Sequence, residues 1–124
     1  MKKFNIEYSM SKVSIAALWN KIHMANGLSE WFADRVDNDG DIFTFTWSGQ
    51  QQKARLLNME EGEYIRFHWL DEEQGTFFEM RILLTEITGE VSLLITDHAA
   101  DGDQEDLIIM WNRQVEQLRR RLGV

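Results

Sequence analysis

Residues 42–69 read IFTFTWSGQQQKARLLNMEEGEYIRFHW. Phe43, Phe45 and Trp47 alternate with Ile42, Thr44 and Thr46; a second run extends from about Gln52 to Glu60; Ile65, Phe67 and Trp69 then alternate with Arg66 and His68. A period of two marks a strand with one face on a core. Ser48-Gly49-Gln50 and Glu61-Gly62 separate the runs. Short glycine-containing connections between such runs are antiparallel hairpins. The pattern continues on both sides. Periodicity of two begins near Ala33, with an acidic turn from Asp37 to Asp41, and further strands carry Phe78, Met80, Ile82 and Leu84, then Val91, Leu93 and Ile95.

The strand registers test one another. Two-residue loops at Gly49-Gln50, Glu61-Gly62 and Thr88-Gly89 predict Phe45 opposite Ala54 and Phe43 opposite Leu56. They also predict Leu56 opposite Phe67, Ala54 opposite Trp69, Ile82 opposite Ile95 and Leu84 opposite Leu93. If the loop Asp71–Gly75 keeps the same parity, Phe67 meets Phe78 and Ile65 meets Met80. One face is then apolar across five strands, a continuity that a one-residue slip would destroy. Two polar residues, Asn58 and Asp97, fall in the inward set. The other face carries Thr44, Thr46, Lys53, Arg55, Arg66, His68, Glu79, Arg81 and His98. It reads as solvated, with Arg66 opposite Glu79 and Glu79 opposite His98, pairs worth under about 1 kcal/mol each. Leu57, Met59, Phe77 and Leu83 break that polar pattern and form a candidate patch for another chain.

The apolar face needs a cover, and the last stretch supplies one. Leu107, Ile108, Trp111, Val115, Leu118 and Leu122 recur at spacings of three and four, one face of a helix. Asp103 is the expected N-cap, Glu105 and Asp106 suit the first turn, Arg119–Arg121 the last, and Gly123 the residue beyond it. Ile109 points away from this stripe. At the other end, Phe4, Ile6 and Tyr8 predict a strand. Ser11 is read as capping a helix with Ile15, Leu18, Trp19 and Ile22 on one face, ended by Asn26-Gly27. Ser29 is read as capping a short helical turn that holds Trp31 and Phe32. The expected architecture is α+β, in the order β-α-α-β6-α: a curved antiparallel sheet of about seven strands wrapped around a long C-terminal helix, in a single domain over residues 1–124.

Composition narrows the function. The chain has 124 residues, 44% hydrophobic, with no cysteine and no proline. Without cysteine there is neither a disulfide nor a thiolate, which fits a reducing compartment, and the chain is read as cytoplasmic. Met1-Lys2-Lys3 leads into Asn5 and Glu7 rather than an apolar signal segment. No apolar run approaches the roughly 18 residues of a membrane span. The formal net charge of −8 argues against nucleic acid.

Catalytic and metal motifs are missing. His23, His68 and His98 are scattered, with no zinc spacing. Asp37, Asp39 and Asp41 flank Gly40, but the glycine falls too early for a calcium loop and no glutamate follows at the required position. There is no phosphate loop and no serine elbow. No metal or cofactor is expected.

The order of elements, with Ala17-Leu18-Trp19, Leu28-Ser29-Glu30-Trp31-Phe32, Phe67-His68-Trp69 and Trp111, resembles the START-like, or helix-grip, superfamily. That superfamily includes the birch pollen allergen fold, the polyketide cyclase and dehydratase group, and domains similar to the C-terminal domain of heat-shock ATPase activators, the group whose pattern this chain follows most nearly. The resemblance implies a hydrophobic or amphipathic small molecule held, without catalysis, between sheet and last helix. The alternatives it carries are a protein-interaction module or homodimer, and a cyclase- or dehydratase-like enzyme using Asp97 or a cavity histidine. The candidate lining is Trp31, Phe32, Trp47, Trp69, Met80, Met110 and Trp111, with Asn58 and Asp97 to orient a polar group.

Overall fold

The computed structural model describes residues 1–124. Its elements are β1 (Lys2–Ser9), α1 (Ile15–Ile22), α2 (Ala25–Leu28), β2 (Arg35–Asp39), β3 (Ile42–Trp47), β4 (Gln50–Glu60), β5 (Tyr64–Trp69), β6 (Phe78–Thr85), β7 (Glu90–Ala99) and α3 (Gln104–Leu122). The seven strands form one antiparallel sheet in the order β1-β7-β6-β5-β4-β3-β2. β1 and β2 are therefore its two edges, and the helical segments between them cross from one edge to the other. This is the helix-grip arrangement. Sheet and helices share one core of 24 buried residues, into which α3 inserts Trp111, Val115 and Leu118.

The predicted faces hold across most of the sheet, although two registers differ from expectation. Between β3 and β4 the turn is Ser48-Gly49, so Phe43 pairs with Ala54, Phe45 with Gln52 and Trp47 with Gln50. Ser48 and Gly49 both have positive φ, 49° and 81°, as a tight two-residue hairpin matched to strand twist requires. Between β6 and β7 the loop has four residues, 86–89. Ile82 therefore meets Leu93, Met80 meets Ile95, and Glu79 meets Thr96 rather than His98. Each correction is a step of two residues, which leaves side chains on their predicted faces. The β5–β6 pairs Phe67–Phe78, Ile65–Met80 and Arg66–Glu79 are as predicted, and so are Leu56–Phe67 and Ala54–Trp69.

One strand does change face. A bulge between Leu56 and Asn58 puts Asn58 opposite Arg66 and Met59 opposite Ile65. The extra residue inverts the alternation beyond it. Asn58 therefore leaves the inward set: it is exposed and donates to the Tyr64 hydroxyl at 3.1 Å.

The helical entry also differs. Ser14, not Ser11, caps α1, its hydroxyl accepting from the Ala17 amide at 3.0 Å. α1 ends at Ile22, before Asn26-Gly27. Gly27 lies inside α2, where a Cβ would overlap the Asn20 carbonyl oxygen. The glycine permits close packing of α2 on α1 rather than terminating a helix. Ser29 closes α2 instead of opening a helix: its hydroxyl donates to the Ala25 carbonyl at 2.8 Å, and it accepts from the Val36 amide at 3.0 Å.

The outer face holds more than solvated pairs. The Glu79 carboxylate is buried and accepts from Arg66 at 2.7 Å and from Arg81 at 3.1 Å. The Arg66 guanidinium lies 4.1 Å from the Phe77 ring centre and that of Arg81 4.3 Å from the Tyr64 ring centre. Phe77 is thereby covered within its own chain, with His98 packed edge-to-face against it. At the end of α3, Gly123 takes the expected left-handed conformation. Arg119 and Arg121 donate to the carbonyls of Ser9 and Glu30, and so tie the helix end to β1 and to the segment after α2.

Candidate functional site

Where α3 begins, it stands off the sheet. The space beneath is an open groove of about 820 Å³, within the range of small-molecule sites. Trp47 at the end of β3 and Trp69 at the end of β5 form its floor, their ring centres 6.0 Å apart and their planes at 57°. Alternation along the strands puts both indoles on the concave side, at the sheet end that α1 and α2 leave uncovered. Trp111, Leu107 and Met110 of α3 form the roof, with Ile109 on its rim. Ile109 and Met110 are 50% and 44% exposed. Helical periodicity directs Ile109 away from the apolar stripe; in the folded chain it borders the opening.

Phe32 anchors the back wall. Its ring lies 5.3 to 5.7 Å from those of Phe45, Trp47, Phe78 and Trp111. Its carbonyl accepts from the Trp47 indole at 2.9 Å and from the Gln114 amide at 2.8 Å. One backbone oxygen thus links the segment after α2 to both sheet and final helix. The other Gln114 side-chain atom, Oε1, is buried without a partner.

Asp97 of β7 is the polar centre. It is 5% exposed; its Oδ2 accepts from the Trp111 indole at 2.8 Å and its Oδ1 from the His98 amide at 2.7 Å. Burial pushes this carboxyl above its usual range, and the two hydrogen bonds offset only part of that. Glu72, in the loop after β5, is also raised, first by burial and then by the charges of Asp97 and Asp71. Asp106 and Arg113 of α3 and Gln52 of β4 complete the polar lining. No serine, threonine, tyrosine, lysine or histidine lines the groove. Nowhere in the molecule do three histidine, aspartate or glutamate side chains converge as metal ligands would.

Of the residues singled out in the sequence, Phe32, Trp47, Trp69, Asp97, Met110 and Trp111 meet at the groove. Three do not. Trp31 is buried behind Phe32, its indole donating to the Lys21 carbonyl at 2.7 Å. It reaches only a shallower depression beside Arg113 and Gln117. Met80 is wholly enclosed in the core, paired with Ile65 and Ile95. Asn58 is carried to the outer face by the bulge. Sequence reasoning misses Gln52, Glu72, Asp106, Leu107, Ile109, Arg113 and Gln114 as lining. Two have a signal: Leu107 belongs to the apolar stripe of the last helix, and Gln114 lies three residues beyond Trp111, a polar residue within the buried stripe.

The START-like superfamily domain matches residues 1–124, the whole chain. The chain belongs to the START-like superfamily. This START-like domain is 37% identical to a Bacteroides fragilis protein solved by NMR in solution, over 97% of this chain and 90% of that one, with a TM-score of 0.68. Its fold is also that of the Aha1 dimer from Colwellia psychrerythraea, with 13% identity, 100% and 98% coverage and a TM-score of 0.82. DynU16, a protein of the dynemicin biosynthetic locus, gives the same TM-score of 0.82 at 14% identity, covering 100% of this chain and 48% of its own. No curated protein matches the chain in sequence. No helix is long and apolar enough to cross a membrane.

Proposed function

We propose that this START-like domain holds a hydrophobic or amphipathic small molecule in the groove beneath the first turns of α3, without catalysis and in the cytoplasm. The observation that carries the reading is the groove itself: about 820 Å³, floored by Trp47 and Trp69 and roofed by Leu107 and Met110. Apolar surface left half-open beside a fully packed core is costly unless something covers it. A non-catalytic role is supported by the lining, which offers no hydroxyl, thiol or amine nucleophile and no histidine to work with its carboxylates. The absence of cysteine fits a reducing setting.

The test uses phenyl-naphthylamine, an apolar dye whose emission rises out of water. We expect one dye per chain and transfer of excitation from the groove tryptophans. Leu107→Trp fills the roof and should abolish binding without lowering the melting temperature. Dye binding that survives this substitution places the ligand elsewhere and overturns the reading.

A second reading has its own observation. Ile109 and Met110 form an apolar rim on α3, and the Colwellia psychrerythraea protein of this fold was solved as a dimer. A second copy could seat that rim. Light scattering decides: a dimer at micromolar concentration that Met110→Lys dissociates supports this use of the surface.

A further inference from the structure

Carboxylates outnumber every other kind of polar side chain lining the groove. Asp97, Glu72 and Asp106 present carboxylates, and Gln114 Oε1 is buried with no donor at all. Two of the three groove indole N–H groups are already committed, Trp47 to the Phe32 carbonyl and Trp111 to Asp97; the indole of Trp69 makes no hydrogen bond within the chain and is a neutral donor beside three carboxylates. A ligand that brings N–H groups offers these carboxylates charge-assisted hydrogen bonds; one that brings another anion is repelled by them.

The charges point the same way. Three carboxylates line the groove against one guanidinium, that of Arg113. Arg113 is exposed and also borders Glu116 and Gln117 on the outer flank of α3. Glu72 and Asp106 border a neighbouring depression with the N-terminal residue, but its ammonium is bound to Glu73 at 2.9 Å. The Trp47 and Trp69 rings add π faces, which attract cations and do nothing for anions.

We propose that the ligand's polar end is a protonated amine: the groove takes an amphiphile with an apolar body over Trp47 and Trp69 and an ammonium group that donates to Asp97 and Glu72. This rests on the container reading above and specifies what is contained.

Decylamine, decanoate and decanol share a chain and differ in headgroup. Their affinities are compared by tryptophan fluorescence at pH 7.5, below micelle-forming concentrations, for the wild type and for Glu72→Gln, Asp97→Asn and the remote Asp39→Asn. The Asp97→Asn amide keeps an acceptor for Trp111, and each variant's melting curve confirms folding. We expect decylamine to bind about tenfold more tightly than decanoate, equivalent to about 1.4 kcal/mol. The preference should shrink in Glu72→Gln and Asp97→Asn and persist in Asp39→Asn. Equal binding of all three probes, or tighter binding of decanoate, overturns the amine assignment and leaves the container reading standing. Equal loss in Asp39→Asn assigns the preference to net charge and also overturns it. If no probe binds, both readings fall.

Discussion

Asp97 and Glu79 are both 5% exposed, on adjacent strands of one sheet, yet their carboxyls shift in opposite directions. Glu79 faces the convex side. Burial pushes it up, but hydrogen bonds from Arg81 and Arg66 and their charges outweigh burial and hold it below the usual carboxylate range. Asp97 faces the groove, with only an indole, an amide and the nearby His98 to set against burial, and burial wins. The outer carboxylate is compensated within the chain; the inner one is not. The paired charge is a structural one, whereas a buried carboxyl perturbed by burial in a cleft marks a candidate functional site.

The largest effect expected from disturbing this contrast is at Trp111. Trp111→Asp removes the Asp97 donor and buries a second carboxylate beside the first. No cooperative thermal transition should remain at pH 7. A transition close to that of the wild type would mean that α3 is not core.

Glu79→Gln comes next. The ion pairs should be worth about 1 kcal/mol, a figure reduced because about a third of each arginine side chain faces water. A lowered pKa adds stability that is present above the ordinary carboxylate range and lost as pH falls through the folded value. The gap between wild type and Glu79→Gln in urea midpoint should therefore close in acid. Asp97→Asn should behave in the opposite way. A raised pKa adds stability that is full below the ordinary carboxylate value and lost as pH rises through the folded one. At pH 7 the variant should thus be as stable as the wild type or slightly more so, and the wild type should gain on it as pH falls. Parallel slopes for the two variants would dissolve the contrast between the faces.

The smallest effect is expected at Asn58→Ala. Asn58 is exposed and its one side-chain partner is a tyrosine hydroxyl. Stability should move by under about 0.5 kcal/mol, and decylamine affinity should not change.

Asn58 also shows where sequence reading stops. Alternation from Gln52 onward assigns it to the same face as Ala54 and Leu56, and nothing at Leu57 announces the bulge that reverses this. Asp97 is legible because β7 runs without interruption from Glu90 to Ala99. Two hairpin registers differ from expectation by two residues, yet faces depend only on odd or even, so the core can be read from imperfect turns. Trp31 and Met80 look like lining in the sequence because large adaptable side chains suit pockets. Trp31 is withheld from the groove by the way α2 packs against α1, which rests on Gly27, and Met80 by its place in mid-sheet between Ile65 and Ile95. Glu72, in a loop, could be placed only by the folded chain.

The start of α3 has a kinetic consequence. Asp103 occupies the cap position, but its side chain makes no capping bond, and the residues above the groove, Ile109 and Met110, are about half exposed. From Trp111 onward the helix is fixed by Val115, Leu118 and the arginine ties to β1 and the segment after α2. Hydrogen exchange should divide the helix in time: amides of the first turns exchange through local fraying, while those near Val115 and Leu118 wait for global unfolding. The part of the helix that roofs the groove is thus the part that opens most readily, without disturbing the core packed beneath Val115 and Leu118.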